Sequence, residues 1–193
     1  MQEREQNAVR REILTRILNK EVFFEKYLQK HPAEDACSLC PYYGKRWSCP
    51  PGLPEIRDYL EKYREVCLVV VKVSYPKSVC NRAENSREYA EKIREVYYEA
   101  AKKELLLKLL ELEQRLPGSK TLGAGRCILC EHCAREEGKP CRNPRLRRYS
   151  ITGFGMEFGK MLEEEFQIPL LWKAQGLPEY DVAAAALFLP QSE

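Results

Sequence analysis

Histidine is scarce in this chain of 193 residues, which contains only His31 and His132. Any metal site must therefore take most of its ligands from other side chains. No Ser/His/Asp or Cys/His arrangement typical of nucleophilic catalysis is visible. The chain also lacks a Gly-x4-Gly-Lys-Ser/Thr phosphate loop, and the pair Gly123 and Gly125 is too short for a dinucleotide fingerprint. These absences argue against the common hydrolase, nucleotidase and dehydrogenase classes.

Long apolar runs and a strong net charge are absent as well. No stretch approaches the roughly 20 apolar residues that a membrane-spanning helix needs. The first six residues are polar and lack the apolar core of a signal peptide. The formal net charge of +3 is too small to indicate nucleic-acid binding. We therefore expect a cytoplasmic protein with neither a membrane nor a nucleic acid as partner.

Cysteine, in contrast, is abundant, with nine residues. Disulfides are disfavoured in the cytoplasm, and an odd number would leave one cysteine outside any disulfide framework. Metal binding or redox chemistry is the better interpretation. Sites made only of sulfur ligands select zinc or iron–sulfur clusters over magnesium or calcium.

Four of the cysteines fall in one short stretch, Cys127-x2-Cys130-x2-Cys133-x7-Cys141. Bacterial ferredoxins hold a [4Fe–4S] cluster with a similar run of closely spaced cysteines. The spacing therefore predicts a [4Fe–4S] site. A tetrahedral zinc site is the alternative, although structural zinc sites usually use two separated Cys-x2-Cys pairs.

A second set, Cys37, Cys40 and Cys49, lies in an irregular loop rich in proline, glycine and aromatic residues. Two [4Fe–4S] clusters with four thiolates each would need one cysteine more than the two motifs contain. Cys80 is the first candidate for the missing ligand, and Cys67 is the second, although its place in a predicted strand favours a packed thiol. A ligand could also be shared between the motifs, or one iron could be left open to a substrate.

The apolar pattern predicts an α+β fold with a small mixed sheet packed by helices, in a single domain over residues 1–193. The cysteine loops, 37–52 and 123–148, should meet at one end. A β-branched run over 66–75 indicates a buried central strand. The remaining predictions are an N-terminal helical segment within 1–32, helices over 53–64, 84–116 and 153–166, and strands over 119–124, 168–174 and 181–189.

Arginines follow the last cysteine of the second motif, at positions 142, 145, 147 and 148. Cations beside a negatively charged cluster could dock an acidic redox partner. A solvated basic loop without a specific role is the alternative.

Both motifs, in this order, resemble the DUF2284 family of predicted metal-binding proteins. The resemblance rests on Cys37-x2-Cys40-Pro, Trp47-x-Cys49-Pro-Pro and the run from Cys127 to Pro144, and it extends from about residue 37 to the C-terminal strand. It implies metal bound by cysteine and no particular reaction.

Three functions remain open on this basis. The first is an iron–sulfur protein with one or two [4Fe–4S] clusters that transfers electrons to a partner protein. The second is an enzyme, or an enzyme-activating factor, that uses an open iron at the first motif. The third is a binding module stapled by zinc.

Overall fold

The sheet is built on the β-branched run that the sequence predicted as a central strand. The computed structural model describes residues 8–29, 37–173 and 175–190. Its strands are β1 (Arg10–Asn19), β2 (Tyr63–Ser74), β3 (Lys120–Leu122) and β4 (Tyr180–Pro190). Their order across the sheet is β1-β2-β4-β3, and each neighbouring pair is antiparallel. The α+β class is confirmed, with an antiparallel sheet in place of the expected mixed one.

Helices cover both faces of this sheet. They are α1 (Lys20–Tyr27), α2 (Ile56–Tyr59), α3 (Lys77–Glu84), α4 (Arg87–Ile93), α5 (Ala100–Arg115) and α6 (Phe158–Phe166). Alternate residues of β2 enter two separate cores, with Val66 and Leu68 on the side of α1 and α6 and Val71 on the side of α5. This alternation follows from the two-residue repeat of a strand. Among the described residues, no helix is long and apolar enough to cross a membrane.

The expected N-terminal helix is wrong over residues 10–19, which form strand β1. Ile13 and Ile17 have helix-like spacing, yet they are 69% and 59% exposed. The spacing therefore does not mark a buried face. All ten residues pair with β2 instead. Backbone pairing along an otherwise open strand outweighs the weak local preference. The helix begins only after Asn19, whose side chain accepts hydrogen bonds from the amides of Glu21 and Val22.

The segment predicted as one helix over 84–116 is divided. Helix α4 is capped by Ser86, whose side chain accepts a hydrogen bond from the amide of Tyr89. A six-residue π-helix, Arg94–Glu99, joins α4 to α5. Such π-helical insertions widen a helix locally and are frequent at functional sites. Here the insertion ends at Glu99, which faces the first cysteine loop.

Three other predicted elements differ from the structure. The helix expected over 153–166 is α6, which begins only at Phe158, after a short 3-10 turn over Thr152–Phe154. The helix expected over 53–64 is the single turn α2, because β2 already begins at Tyr63. The strand expected over 168–174 has no regular structure in its described part, residues 168–173, although Ile168 is buried in the core. The strand expected over 181–189 is confirmed as β4, whose run of alanines lies buried between the two helical layers.

A buried ion pair attaches the second cysteine loop to helix α5. Arg148 ends that loop, and its guanidinium bonds to both carboxylate oxygens of Glu113. Glu113 also accepts a hydrogen bond of 2.6 Å from the backbone amide of Thr121 in β3. The carboxylate therefore holds the helix, a sheet edge and the loop together.

Replacing Glu113 by Gln should lower the free energy of unfolding by about 3 kcal/mol, because the Arg148 charge stays buried without its counterion. Denaturant unfolding of both proteins measures the difference. Glu111 lies on the same helix in exposed pairs with Lys108 and Arg115. The matched Glu111→Gln change should cost no more than about 0.5 kcal/mol. Equal losses in the two variants would contradict the role of the buried pair.

The same pair predicts a pH dependence. Burial opposes ionisation of Glu113, but hydrogen bonds from Arg148 and Thr121 outweigh burial and lower the pKa of the carboxyl. A lowered pKa contributes stability that is present above the ordinary value of about 4.5 and is lost as the pH falls through the lowered value. The stability gap between wild type and Glu113→Gln should therefore narrow as the pH drops below about 4.5, which acid titration of unfolding can measure.

Candidate metal centres

The two cysteine loops contact each other directly, and Ser48 lies at the junction. Ser48 is fully buried. Its carbonyl accepts a hydrogen bond of 2.9 Å from the amide of Ser150, and its hydroxyl accepts one of 2.8 Å from the amide of Cys127. The same hydroxyl lies 3.5 Å from the sulfur of Cys49. Since the hydroxyl oxygen already accepts from Cys127, its own proton is available for the Cys49 sulfur.

Arg135 of the second loop holds the backbone of the first. Its guanidinium donates to the carbonyls of Arg46 and Cys49, both at 2.9 Å, and to that of Pro51 at 2.7 Å. The same group lies over the ring of Trp47, at 4.9 Å from its centre. Charge-assisted hydrogen bonds to three carbonyls replace the regular backbone pairing that an irregular loop lacks.

The first three cysteines line one cavity of about 250 Å³. Cys37 and Cys49 are partly buried and Cys40 is exposed. A tight turn brings Cys37 and Cys40 together, because the amide of Cys40 donates to the carbonyl of Cys37 at 3.0 Å. Tyr42 and Pro50 from the same loop also line the cavity.

Charged groups from outside the motif form another wall of this cavity. Lys102 of α5 and Arg126 of the second loop both bind the carboxylate of Glu99, at 3.0 and 3.1 Å. The hydroxyls of Ser150 and Thr152 lie 2.9 Å apart on the same lining. The cavity thus combines three thiols with two cations, one carboxylate and two hydroxyls.

The four cysteines of the second motif surround a smaller cavity of about 20 Å³, which all of them line: Cys127, Cys130, Cys133 and Cys141. The side-chain amide of Asn143 donates to the sulfur of Cys130 at 3.1 Å. Hydrogen bonds of this kind stabilise a thiolate and orient it as a ligand. The arrangement can present four sulfur ligands to a bound group.

Arg46 supplies a test of whether a cluster fits this second set. Its Nε is buried and has no hydrogen-bond partner among residues 8–29, 37–173 and 175–190, and the residue lines the cavity of the four cysteines. Buried donors without partners are rare, so we expect the Nε–H of Arg46 to have an acceptor. A thiolate or cluster sulfide is such an acceptor. The donor set therefore fits a group that is held through sulfur, as an iron–sulfur cluster is.

The described cysteines do not converge on a single point. In the described part of the chain, no three side chains of histidine, cysteine, aspartate or glutamate form a group that could hold one metal ion. The sulfurs line cavities instead. Burial raises the pKa of the Cys49 and Cys127 thiols, so the metal-free thiols stay protonated at neutral pH. Binding of a metal must therefore release protons.

Cys80 and Cys67, the candidates for an additional ligand, lie elsewhere. Cys80 is on α3, and its sulfur contacts the carbonyl of Pro178 at 3.4 Å in a separate groove beside β4. Cys67 is on β2 and packs against the core on the α5 side. The structure brings neither to the first motif. His132 is exposed on the second loop, and His31 lies outside the described residues.

Several arginines of the segment after Cys141 make contacts within the protein, which the sequence did not indicate. Arg148 is buried against Glu113, and Arg142 donates to the carbonyl of His132 at 2.8 Å. Arg147 bonds to the hydroxyl of Tyr149. Only Arg145 and Arg142 keep substantially exposed side chains, so a docking surface here is smaller than expected.

Sequence reasoning missed Ser48 at the junction of the loops and four residues that line the cavities: Glu99, Lys102, Arg126 and Asn143. Two of them carried a signal, since Ser48 and Arg126 directly precede the motif cysteines Cys49 and Cys127. Glu99 and Lys102 looked like an ordinary helical pair three residues apart. Nothing in their spacing indicated which loop they face.

Replacing Cys80 by Ser should leave the metal content of the anaerobically purified protein unchanged, because its sulfur lies in a different groove from the motif cysteines. Cys130→Ser, in contrast, removes a thiol from the second set and should lower the content. Elemental analysis of both variants, with circular dichroism as a check on folding, makes the comparison. Loss of metal from a folded Cys80→Ser protein would show that the loops rearrange to recruit it.

Comparison with known proteins gives a single family. No match is found among curated proteins or among solved structures. The model of one family, described as predicted metal-binding protein (DUF2284), matches residues 19–188. That range includes both cysteine loops and the described fold, apart from β1 before Asn19 and the last two residues of β4. The chain therefore belongs to the DUF2284 family of predicted metal-binding proteins.

Proposed function

We propose that this protein holds two iron–sulfur centres, one at each cysteine motif, and transfers electrons between them and a partner protein in the cytoplasm. The observation that carries the proposal is the buried hydroxyl of Ser48. It touches the Cys49 sulfur at 3.5 Å and the Cys127 amide at 2.8 Å. One side chain therefore joins the two motifs, which suits two centres that exchange electrons. When bound, the clusters supply one-electron redox chemistry.

The donor sets support clusters over zinc. Structural zinc sites usually use two separated Cys-x2-Cys pairs, whereas the second motif has three cysteines at successive two-residue gaps. Donors from Asn143 and Arg46 are available to sulfur at the second cavity. Hydrogen bonds to sulfur are among the features that set cluster potentials. The cysteine spacing and these donors favour a cluster at the second motif.

Other side chains have supporting roles in this proposal. Trp47 is fixed by its ring N–H, which donates to the carbonyl of Lys139 at 2.9 Å, and it lines the second cavity. It can limit the access of water to that centre. The exposed cations Arg142 and Arg145 lie on the same loop and offer a contact for an acidic redox partner.

A second candidate is an enzyme that acts at the first motif. The specific observation that favours it is the cavity of about 250 Å³ beside only three cysteines. A centre with three protein thiolates leaves one iron available to a substrate, which the iron could polarise. The charged wall of Glu99, Lys102 and Arg126 would then orient that substrate.

Metal and acid-labile sulfide analysis of anaerobically purified protein tests the proposal. Two [4Fe–4S] centres should give about eight irons and eight sulfides per chain, and one centre should give half of these. A reducible brown protein with the paramagnetic signal of reduced clusters is the expected result. A colourless protein that holds zinc without sulfide would overturn the proposal.

Ser48→Ala should lower the reduction potential of the first-motif centre while both centres remain loaded. A donor to a thiolate stabilises the more negative, reduced state, so its loss makes reduction harder. The shift should be on the order of 40 mV, equivalent to about 1 kcal/mol for one electron. Redox titration followed by electron paramagnetic resonance measures it.

Ser119→Ala is the matched control, because Ser119 is also a buried serine but donates to the carbonyl of Leu116. It should leave both potentials unchanged. Identical potentials in the wild type and in a folded, fully loaded Ser48→Ala protein would contradict the role of the Ser48 hydroxyl.

A further inference from the structure

The guanidinium of Arg126 lines the cavity of the first motif, and not all of its N–H donors have an acceptor in the described structure. The group lies over the ring of Tyr42, at 4.7 Å from its centre, and its Nη2 binds Glu99 at 3.1 Å. Within the described ranges, its Nε and Nη1 have no acceptor, and neither atom is among the buried donors without partners. These donors are therefore open to the cavity or to solvent. Stacking and the ion pair fix the plane of the group before any ligand arrives.

Lys102 adds a second cation to the same wall. Its side chain is almost fully buried, and its Nζ donates to both oxygens of Glu99, at 3.0 and 3.3 Å. The nitrogen also lies 5.1 Å from the ring centre of Tyr98. Apart from the cysteines, the charged residues lining the cavity are Glu99, Lys102 and Arg126. Their charges sum to one positive charge in excess.

We infer that this cavity binds a small organic carboxylate through Arg126, next to Cys37, Cys40 and Cys49. A planar guanidinium with free donors matches the two oxygens of a carboxylate. Among the charged side chains, a single negative charge balances the excess, whereas a phosphate dianion would exceed it. The volume of about 250 Å³, which any group held by the three cysteines would share, lies below the roughly 300–1,000 Å³ of pockets for drug-sized ligands, so the ligand is a molecule of a few carbons.

The free space beside the backbone of Gly125 agrees with a ligand of a few carbons. A side chain added at Gly125 would meet only the Lys102 amine, at 4.0 Å, and Gly125 has a positive φ of 69°. The space beside the Lys102 amine is therefore open, and the positive φ is what favours glycine at this position. Because the contacts come from protein side chains, carboxylate binding goes beyond the proposed redox function.

Propionate is the probe, with its neutral analogue propionamide and inorganic phosphate as comparisons. Calorimetric titration of the anaerobically purified protein should show saturable binding of propionate and none of propionamide. Arg126→Gln should weaken propionate binding at least about tenfold, because a charge-assisted bidentate contact is lost. Lys102→Met, which is not adjacent to any cysteine, should also weaken it severalfold by removing the excess charge.

Arg87→Gln is the matched control, since Arg87 also pairs with one glutamate, Glu91, but is exposed on α4. It should leave propionate binding unchanged. Iron and sulfide are measured in every variant, so a variant that fails to load its metal is recognised. If Arg126→Gln loses metal, the propionate affinity of Lys102→Met is compared with that of the wild type instead.

Carboxylate binding at this site is overturned if propionate does not bind saturably, if phosphate or propionamide binds equally well, or if folded Arg126→Gln and Lys102→Met bind propionate like the wild type. These failures are distinct from failure of the proposed function. Iron and sulfide can be present without carboxylate binding, and carboxylate can bind to a protein that holds zinc.

Discussion

The arrangement of both cysteine sets depends on the buried contacts of Ser48. Loops without regular backbone pairing keep a defined shape only if side chains satisfy their polar groups. Ser48 does so on both sides, with its carbonyl toward Ser150 and its hydroxyl between Cys49 and Cys127. A change at this residue therefore alters the position of one motif relative to the other as well as the polarity around one sulfur.

Side-chain contacts attach the second loop to a helix, and further contacts attach the first loop to the second. Helix α5 supplies Glu113, which holds the second loop through Arg148. The second loop supplies Arg135, which holds the backbone of the first. The stability of the first motif therefore depends on the helix through two arginines. Such an order explains why a destabilising change at Glu113, remote from the first motif in sequence, is expected to act on both cysteine sets.

Some of this structure follows from the sequence and some does not. The β-branched run of β2 is a strong local signal, and the strand that it predicted is confirmed. The cysteine spacings predicted metal binding, which the family match supports, whereas the iron–sulfur clusters stay a prediction. Strand β1 was missed because Ile13 and Ile17 repeat like a helix, while its conformation is decided by pairing with β2. The cavity wall was missed for a related reason. Glu99 reaches it from the end of a π-helix, a backbone feature that residue spacing does not encode.

The first motif has three cysteines and the second has four, so the other side chains that line the first cavity matter for what it can bind. Cys80 and Cys67 lie elsewhere, so Glu99 is the carboxylate in the described structure that shares a cavity with the three thiols. Both of its oxygens already accept hydrogen bonds from Lys102, and Oε2 also forms an ion pair with Arg126. A carboxylate held by two cations is a weaker metal ligand than a free one, because its charge is partly neutralised. This favours a role for Glu99 in orienting Lys102 and Arg126 over a role as a metal ligand.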